Sequence, residues 1–326
     1  MGLRGKFRQG PLGLGTASLG SMFRDVSDDD AAASLDAAWD LGTRYFDTAP
    51  FYGAGLAEFR LGTMLSRHQR DEYVLSTKVG RLIQSDGAGR RHNVVFDYTE
   101  LGSMKSIEDS LVRLGVDRLD FIWVHDVAQD FHGDGWLAQF EIARTGAFRA
   151  LTKLRGEGVI RGWGLCVNRI EPIELLLGLT QSNPDGSVLA ERYTLLDHKP
   201  ALRRIMPAAQ QQGVDIIVDG PYSSGILSGR SLFDYHRTST EITAKVARIT
   251  SLADQYEVPV KAAALQFCLA HPAVVAVISG ASTPAKIAED HAALATPIPN
   301  AFWHDLREQQ LVAPDAPLPI DRAEPT

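Results

Sequence analysis

The chain is poor in cysteine and lacks a long apolar run. Two cysteines among 326 residues cannot build a disulfide framework, which favours a reducing compartment. No apolar segment approaches the roughly 20 residues that a membrane-spanning helix needs. Residues 1–8 also lack the apolar core of a signal peptide. We therefore expect a soluble, cytoplasmic protein with no membrane partner.

Acidic residues outnumber basic ones, and the common sequence motifs for binding metals and phosphates are missing. With 33 basic and 40 acidic side chains the formal net charge is −7, which argues against nucleic acid as the main partner. The histidines form no His-Glu-x-x-His pair and the two cysteines lack metal-ligand spacing, so we expect no metal site. Residues 13–18 lack the third glycine of a Rossmann fingerprint, and residues 15–21 lack the lysine of a P-loop.

The apolar residues that are present fall in short runs separated by amphipathic segments. Seven runs are rich in β-branched or aromatic residues, which predicts strands. They cover 45–48, 73–79, 121–125, 162–167, 188–193, 216–218 and 274–278, with an eighth near 13–15. Their near-continuous hydrophobicity is typical of parallel strands that are buried on both faces.

Segments with helical spacing lie between these strands. Apolar residues recur at three- and four-residue steps in 28–41, 104–114, 148–155, 241–256 and 260–269. Eight strands alternating with helices predict an α/β protein that forms a (β/α)8 TIM barrel, with residues 1–326 as a single domain. Four prolines and the absence of a helical pattern predict an irregular or frayed tail over 314–326.

Ionisable residues close several of the predicted strands. The active site of such a barrel lies at the carboxyl ends of its strands, which selects Asp47, Lys78 and His125, with Tyr52 in the loop after Asp47. Burying charges on apolar strands is costly unless they pair, and Asp47 and Lys78 belong to neighbouring strands. We expect an ion pair between them, although such a pair is about as often purely structural.

Tyr52 beside Lys78 indicates proton transfer. An unperturbed phenol titrates near 10, and a nearby ammonium that Asp47 keeps charged lowers this pKa. His125 can donate a hydrogen bond to a substrate oxygen, whereas a lone histidine after a strand is more often a packed residue of the barrel. Four such residues without a nucleophile fit carbonyl or alcohol redox chemistry, in which a cofactor supplies the hydride.

Several motifs resemble those of the aldo-keto reductases. Asp47-Thr48-Ala49-Pro50-Phe51-Tyr52 resembles the family's Asp-x-Ala-x-x-Tyr signature, and Ser76-Thr77-Lys78-Val79-Gly80-Arg81 resembles its lysine strand. Trp123-Val124-His125-Asp126 is similar to the histidine strand. Gly13-Leu14-Gly15-Thr16-Ala17 is similar to the N-terminal segment, and Ser110-Leu111-Val112-Arg113-Leu114-Gly115 to the third-helix motif. The similarity covers about residues 12–294, almost the whole chain.

The resemblance implies a barrel that binds NADP or NAD at the carboxyl ends of its strands. It implies Tyr52 as the general acid/base, Lys78 and Asp47 as its tuners, and His125 as the residue that orients the substrate oxygen, with Phe51 also at the substrate. Residues 124–126, 192–196 and 220–227 are similar to a branch that oxidises aldose or pyridoxal hemiacetals to lactones. A broad aldehyde or ketone reductase and a cofactor-binding regulatory subunit remain alternatives.

The resemblance also implies the cofactor contacts. Asn168 matches the residue that binds the nicotinamide carboxamide, and Tyr193 falls where many members carry a glutamine for the same amide. Asp219 falls where other reductases stack a tyrosine on the nicotinamide, with Tyr222 close enough to substitute. The other implied cofactor residues are Gly15, Thr16, Asp47, Gly220, Pro221, Ser223, Gly225, Leu227, Ser279, Gly280, Ala281, Lys286, Glu289 and Asp290.

The predicted phosphate-binding segment departs from the family pattern. Ile278-Ser279-Gly280-Ala281-Ser282 resembles an Ile-Pro-Gly loop in which Ser279 replaces the proline, and its small residues let backbone N–H groups approach phosphate oxygens. Lys286 replaces an arginine that often binds the 2′-phosphate, and a lysine binds it less specifically. Asp290 replaces an asparagine and is unfavourable beside a 2′-phosphate if it points that way. The choice between NADP and NAD therefore stays open, and 81–98 is read as a solvated loop or a lid.

Overall fold

Eight parallel strands close into a barrel in the computed structural model of the protein. The structure describes residues 3, 5, 7, 10–85, 92–179, 182–229, 232–233, 236–237 and 239–321. The strands are β1 (Leu12–Gly15), β2 (Tyr45–Asp47), β3 (Val74–Val79), β4 (Phe121–His125), β5 (Gly162–Val167), β6 (Gly186–Ala190), β7 (Asp215–Asp219) and β8 (Val274–Ser279). Each strand pairs with the next along the chain, and β1 pairs with β8. The predicted (β/α)8 TIM barrel is confirmed.

Helices form the layer outside the barrel. They are α1 (Asp28–Asp40), α2 (Leu56–Leu65), α3 (Glu100–Leu114), α4 (Gln129–His132), α5 (Trp136–Thr145), α6 (Ala147–Gly156), α7 (Glu171–Gly178), α8 (Lys199–Arg204), α9 (Met206–Gln212), α10 (Thr240–Gln255), α11 (Val260–Ala270), α12 (Pro284–Ala295) and α13 (Asn300–Glu308). Ser27 and Thr99 cap α1 and α3 with their hydroxyl oxygens. Among the described residues, no helix combines the length and apolarity needed to cross a membrane.

Two segments differ from their sequence-based predictions. The strand predicted at 188–193 lies at Gly186–Ala190, because Glu191 adopts a positive φ of 61° and turns the chain out of β6. The segment 81–98 is not simply a loop: Arg81–Ser85 and His92–Phe96 form an antiparallel hairpin at the carboxyl end of β3. The hairpin is two-stranded and lies outside the barrel. Its strands are short and mix polar with apolar residues, so they lack the continuous apolar run that predicted the barrel strands.

The chain after α13 is irregular but closely packed. Between residues 309 and 321 its only regular structure is a short 3-10 turn at Pro319–Asp321, yet Leu311 and Leu318 are buried. The Ala313 N–H donates to Nε2 of the buried His198 at 3.0 Å. Residues 314–321 are therefore an irregular segment that packs against the rest of the protein, and 322–326 lie outside the described residues.

Replacing Gly164 by alanine should destabilise the barrel. A Cβ at this position of β5 would lie 1.6 Å from the Gly186 carbonyl oxygen of β6, and overpacking of this kind costs about 1–3 kcal/mol. Gly178, at the end of α7, has no neighbouring atom within 4 Å of an added Cβ, so Gly178→Ala should be nearly neutral. Urea unfolding of both variants checks the prediction, and equal midpoints would contradict it.

Candidate active site

The four predicted catalytic residues meet at the carboxyl end of the barrel. Asp47 ends β2, Lys78 lies one residue before the end of β3, and His125 ends β4. Tyr52 lies in the loop after β2, with its ring centroid 4.7 Å from Lys78 Nζ and 6.0 Å from the centroid of the His125 ring. Residues that are far apart in sequence thus surround one small volume.

Asp47 and Lys78 form the buried ion pair that the sequence predicted. Lys78 Nζ donates to Asp47 Oδ2 and, at 2.9 Å, to the Thr48 carbonyl oxygen. Ser76 Oγ donates to Asp47 Oδ1 at 2.5 Å, and the Tyr45 hydroxyl lies 3.0 Å from Ser76 Oγ. Ser76 and Tyr45 were not predicted from the sequence as supports of Asp47. The two-residue period of a strand could have identified them, because each stands two residues before a catalytic candidate and so lies on the same face of the strand.

Burial decides the protonation states of the site. Burial lowers the pKa of Lys78, but Asp47, Tyr52 and Cys166 together more than offset this and raise it well above its usual value. Burial raises the pKa of Tyr52 well above 10, and the Lys78 ammonium offsets only part of that rise. Burial, followed by the charges of Lys78 and Arg81, lowers the pKa of His125. The expected effect of Lys78 on Tyr52 is present, but the net shift is upward, so the phenol keeps its proton at neutral pH.

Asp219 adds a further carboxyl group to the site. It ends β7, and burial, followed by the negative charge of Asp47, raises its pKa to about 7. The charge of Asp219 in turn raises the pKa of Tyr52. The sequence showed only that Asp219 stands where other reductases have a tyrosine. The structure makes it a group that titrates near neutral pH beside the proton-transfer residues.

A second ion pair lies beside His125. Arg81 Nη1 contacts Asp126 Oδ2, which lies 3.5 Å from His125 Nε2. The guanidinium carbon of Arg81 is 3.3 Å from the centroid of the Phe51 ring, and the Phe51 and His125 rings are 6.4 Å apart. The predicted substrate residue Phe51 therefore lies at the site, between the second ion pair and Tyr52.

Three of the predicted cofactor residues, Gly15, Thr16 and Asn168, precede β6 in the chain, and Gly15 and Thr16 are packed inside the protein. Thr16 is buried, and its N–H and Oγ1 both donate to the Asp47 carbonyl oxygen, at 3.0 and 3.1 Å. A Cβ on Gly15 would come 2.8 Å from Ile278 Cγ2. Asn168 follows β5 and is half-buried, with its carbonyl oxygen accepting from Arg192 Nε at 2.8 Å. Of these three, Asn168 has its side chain at a strand end and partly accessible.

Tyr193, three residues after the carboxyl end of β6, lies in the hydrophobic core. Its ring is fully buried, stacked 5.5 Å from Phe267 and edge-on to His198 and His271. The ring has no accessible face in this structure, and the predicted contact with the nicotinamide amide stays a prediction. The physical reason for this burial is the turn at Glu191, which ends β6 before Tyr193 and redirects the chain.

Asp290 is also enclosed by the protein. Its carboxylate accepts hydrogen bonds from the Tyr222 hydroxyl at 2.7 Å and from Ser279 Oγ. Lys261 Nζ of α11 lies 2.7 Å from the same carboxylate. Ser279 and Asp290, two departures from the family pattern, thus bind each other, and Lys261 balances the charge. These contacts tie Asp290 to the loop after β7 and to the end of β8, and its predicted contact with the adenosine end stays a prediction.

The remaining predicted cofactor residues lie in two loops at the carboxyl end. After β7, Gly220, Ser223 and Gly225 have positive φ values of 66°, 50° and 93°, and the loop is buried at Pro221 and Leu227. Ser223 Oγ lies 2.8 Å from Thr194 Oγ1, so this hydroxyl is used inside the protein.

The loop after β8 leads into the N-terminus of α12. The Gly280 carbonyl oxygen accepts from Ser18 Oγ at 2.9 Å, Ala281 is buried, and Lys286 is exposed in the first turn of α12. Arg24 Nη2 lies 3.3 Å from both the carbonyl oxygen and Oγ of Ser282. A helix N-terminus with two nearby cations fits a diphosphate, and Arg24 was not predicted from the sequence. Glu289 is exposed and pairs with Lys261 at 3.0 Å.

The chain is similar to known proteins over most of its length. Residues 11–310 match the Aldo/keto reductase family. The chain is 40% identical to pyridoxal 4-dehydrogenase of Microbacterium luteolum, over 93% of this chain and 94% of that protein. It is 35% identical to D-threo-aldose 1-dehydrogenase of a Pseudomonas species, over 92% and 94%. An aldo-keto reductase from Bacillus halodurans, solved in its holo form, superposes with a TM-score of 0.74 at 26% identity, covering 96% of this chain and 95% of that one.

The fold and the family match define an NAD(P)-dependent oxidoreductase. The chain belongs to the Aldo/keto reductase family. Within the described part of the chain, no cluster of three or more His, Cys, Asp or Glu side chains could hold a metal ion.

Replacing Asp219 by asparagine should stabilise the protein more at pH 8 than at pH 5. The pKa of Asp219 is about 7 in the folded protein and near 3.9 when unfolded, so the folded state binds more protons between these values. Wild-type stability from this group is therefore lost progressively as the pH rises from about 4 to about 7, by about 4 kcal/mol in all and by about 3 kcal/mol between pH 5 and pH 8. The amide of the Asp219→Asn variant does not titrate, so that variant has no such loss.

Urea unfolding of wild type and Asp219→Asn at both pH values measures this difference. Asp254→Asn removes an exposed carboxyl of α10 and serves as the control, which should follow the wild-type pH dependence. A constant gap between wild type and Asp219→Asn across this range would contradict the prediction.

Proposed function

We propose that the protein transfers a hydride between NAD(P) and C1 of a small polar aldose or pyridoxal hemiacetal, with Tyr52 as the general acid/base. The observation that carries this proposal is the meeting of Tyr52, Lys78, Asp47 and His125 at one end of the barrel. The substrate class is supported by two relatives, a pyridoxal 4-dehydrogenase and a D-threo-aldose 1-dehydrogenase, that match over most of the chain.

The residues at the carboxyl end fit a dinucleotide. Lys286 and Arg24 flank the loop at the N-terminus of α12, where the cofactor's phosphates would be held. Asn168, half-buried after β5, would bind the carboxamide, and the loop from Gly220 to Gly225 would cover the cofactor's middle part. When bound, the nicotinamide accepts or supplies the hydride.

Tyr52 moves the proton. In reduction, its phenol, which is protonated at neutral pH, donates to the carbonyl oxygen. In oxidation, the small fraction of Tyr52 that is phenolate takes the proton from the hemiacetal hydroxyl as hydride leaves the same carbon. The Lys78 ammonium favours that phenolate, and Asp47 keeps Lys78 charged and in place. Both directions therefore use the same four side chains.

His125 and Phe51 would position the substrate. His125 is neutral at physiological pH because its pKa is lowered, and a neutral imidazole can donate one hydrogen bond to the substrate oxygen. Phe51 presents an aromatic wall next to the polar groups of Arg81 and Asp126. A small ring that carries both C–H faces and hydroxyl groups suits this combination. A complete set of proton-transfer residues favours an enzyme over a cofactor-binding regulatory subunit.

A substrate panel with both NAD and NADP tests the reaction class. L-fucose, other aldoses, pyridoxal and simple aldehydes are each assayed for a change in NAD(P)H absorbance. We expect NAD(P)H to form with at least one aldose or with pyridoxal. Reduction of simple aldehydes without any oxidation of these hemiacetals would contradict the substrate class and favour a broad aldehyde reductase.

Replacing Tyr52 by phenylalanine tests the acid/base assignment. The variant lacks only the hydroxyl group, so we expect kcat to fall by about 10²- to 10⁴-fold while the Kd of the cofactor, measured by fluorescence titration, stays nearly unchanged. Tyr256→Phe is the matched control, because that hydroxyl donates to Asp305 Oδ2 at 2.6 Å between α10 and α13. Turnover that persists in Tyr52→Phe would show that another group moves the proton.

A further inference from the structure

Asp126, directly after His125, has an unusual backbone conformation. Its φ is +57°, in the left-handed region that residues other than glycine seldom adopt. Its N–H donates to the Cys166 carbonyl oxygen at 3.0 Å, and its carbonyl oxygen accepts from the Ala128 N–H at 2.9 Å. Asp126 is almost completely buried. Unfavourable conformations of this kind persist where the surroundings hold them, and they cluster at functional sites.

Arg81 holds the Asp126 carboxylate from the hairpin after β3. Its Nη1 contacts Asp126 Oδ2, and both side chains are at most one-tenth exposed. The guanidinium carbon lies 3.3 Å from the centroid of Phe51, 5.2 Å from that of Phe96 and 5.1 Å from that of Phe131. Cation–π attraction to these rings fixes the guanidinium, and the guanidinium in turn fixes the carboxylate beside His125.

The two ring nitrogens of His125 have different surroundings. Among the described residues, Nδ1 is buried without a hydrogen-bond partner, whereas Nε2 lies 3.5 Å from Asp126 Oδ2. A buried N–H without an acceptor is rarer and costlier than an under-used acceptor, and a carboxylate attracts an N–H. Both effects place the proton of neutral His125 on Nε2. A distance of 3.5 Å is longer than a typical hydrogen bond, so this N–H stays available to a substrate.

We propose that Asp126, clamped by Arg81, is a positioning residue that keeps the proton of His125 on Nε2 for donation to the substrate oxygen. The inference rests on the role of His125 in the proposed function. Asp126 acts through His125, and Arg81 balances the carboxylate so that its negative charge does not oppose charge developing on the substrate oxygen.

The surroundings of Asp126 add a pH signature. Burial raises its pKa to about 7, with Arg81 opposing the rise. The charged and titratable groups that face it are Arg81 of the hairpin, Lys78 of β3, His125 of β4, Cys166 of β5, Asp130 and His132 of α4, and Tyr98 before α3. Protonation of Asp126 as the pH falls through about 7 weakens its attraction for the Nε2 proton, so kcat should fall there too.

Asp126→Asn tests the proposal because asparagine also tolerates a positive φ and has the same shape without the charge. We expect kcat to fall by about 10- to 100-fold, as expected for weakening one hydrogen-bond donor to the reacting oxygen, with an unchanged Kd for the cofactor. The acid limb near pH 7 should disappear. In ¹⁵N spectra of the ring nitrogens, the signal of His125, assigned by its loss in His125→Gln, should change from the Nε2–H form to a mixture of tautomers.

Asp185→Asn is the matched control. It removes an equally buried carboxylate that pairs with Arg155 at 3.1 Å at the opposite end of the barrel, and it should keep the wild-type kcat, pH profile and His125 spectrum. Wild-type kcat together with an unchanged His125 spectrum in Asp126→Asn would overturn the proposal. So would an equal loss of kcat in Asp185→Asn, because loss of any buried pair would then suffice.

Failure of the proposed function gives different results. It would appear as wild-type protein that oxidises no hemiacetal in the panel, or as full turnover in Tyr52→Phe. The ¹⁵N spectrum of His125 requires no turnover, so it supports or overturns the tautomer assignment in either case.

Discussion

Charge buried at the carboxyl end of an apolar barrel is the constraint on which the site depends. Lys78 and Asp47 could not stay ionised there alone, because burial disfavours each charge. Each makes the other tolerable, and hydrogen bonds from Ser76 and to the Thr48 carbonyl oxygen complete the pair. Tyr52 is held beside this fixed ammonium, which partly offsets the burial that keeps its proton in place. The chemistry of the site follows from that balance.

The same device recurs around the barrel with different consequences. At its amino end, Asp120 pairs with Arg70 at 2.6 Å and Asp185 pairs with Arg155 at 3.1 Å, and each carboxylate also accepts a backbone N–H. These pairs brace strand starts. At the carboxyl end, Asp126 pairs with Arg81 next to His125, and Asp219 stands near Asp47. Both carboxyls have a pKa of about 7. The charge at the carboxyl end therefore changes near neutral pH, whereas the ion pairs at the amino end have a structural role.

On the cofactor side, the departures from the family pattern compensate one another. Ser279 in place of a proline donates a hydrogen bond to Asp290, which stands in place of an asparagine. Lys261 neutralises the added charge, and Tyr222 ties the loop after β7 to the same carboxylate. Taken singly, the serine at 279 and the aspartate at 290 would each be expected to weaken cofactor binding. Together they form a buried set of contacts that joins the loop after β7 to the end of β8, while Lys286 stays exposed at the N-terminus of α12.

The sequence by itself determined the order of strands and helices, the eight-stranded barrel and the four catalytic candidates. These follow from apolar periodicity and from residues at strand ends, which are local properties. It did not determine the burial of Tyr193, the pairing of strands Arg81–Ser85 and His92–Phe96, the partners of Asp290 or the net rise in the pKa of Tyr52. Each of those depends on chain segments that meet only in the fold, as Arg81 and Asp126 do across 45 residues. Burial and long-range charge pairs exist only once the barrel has closed, so the tertiary structure decided them.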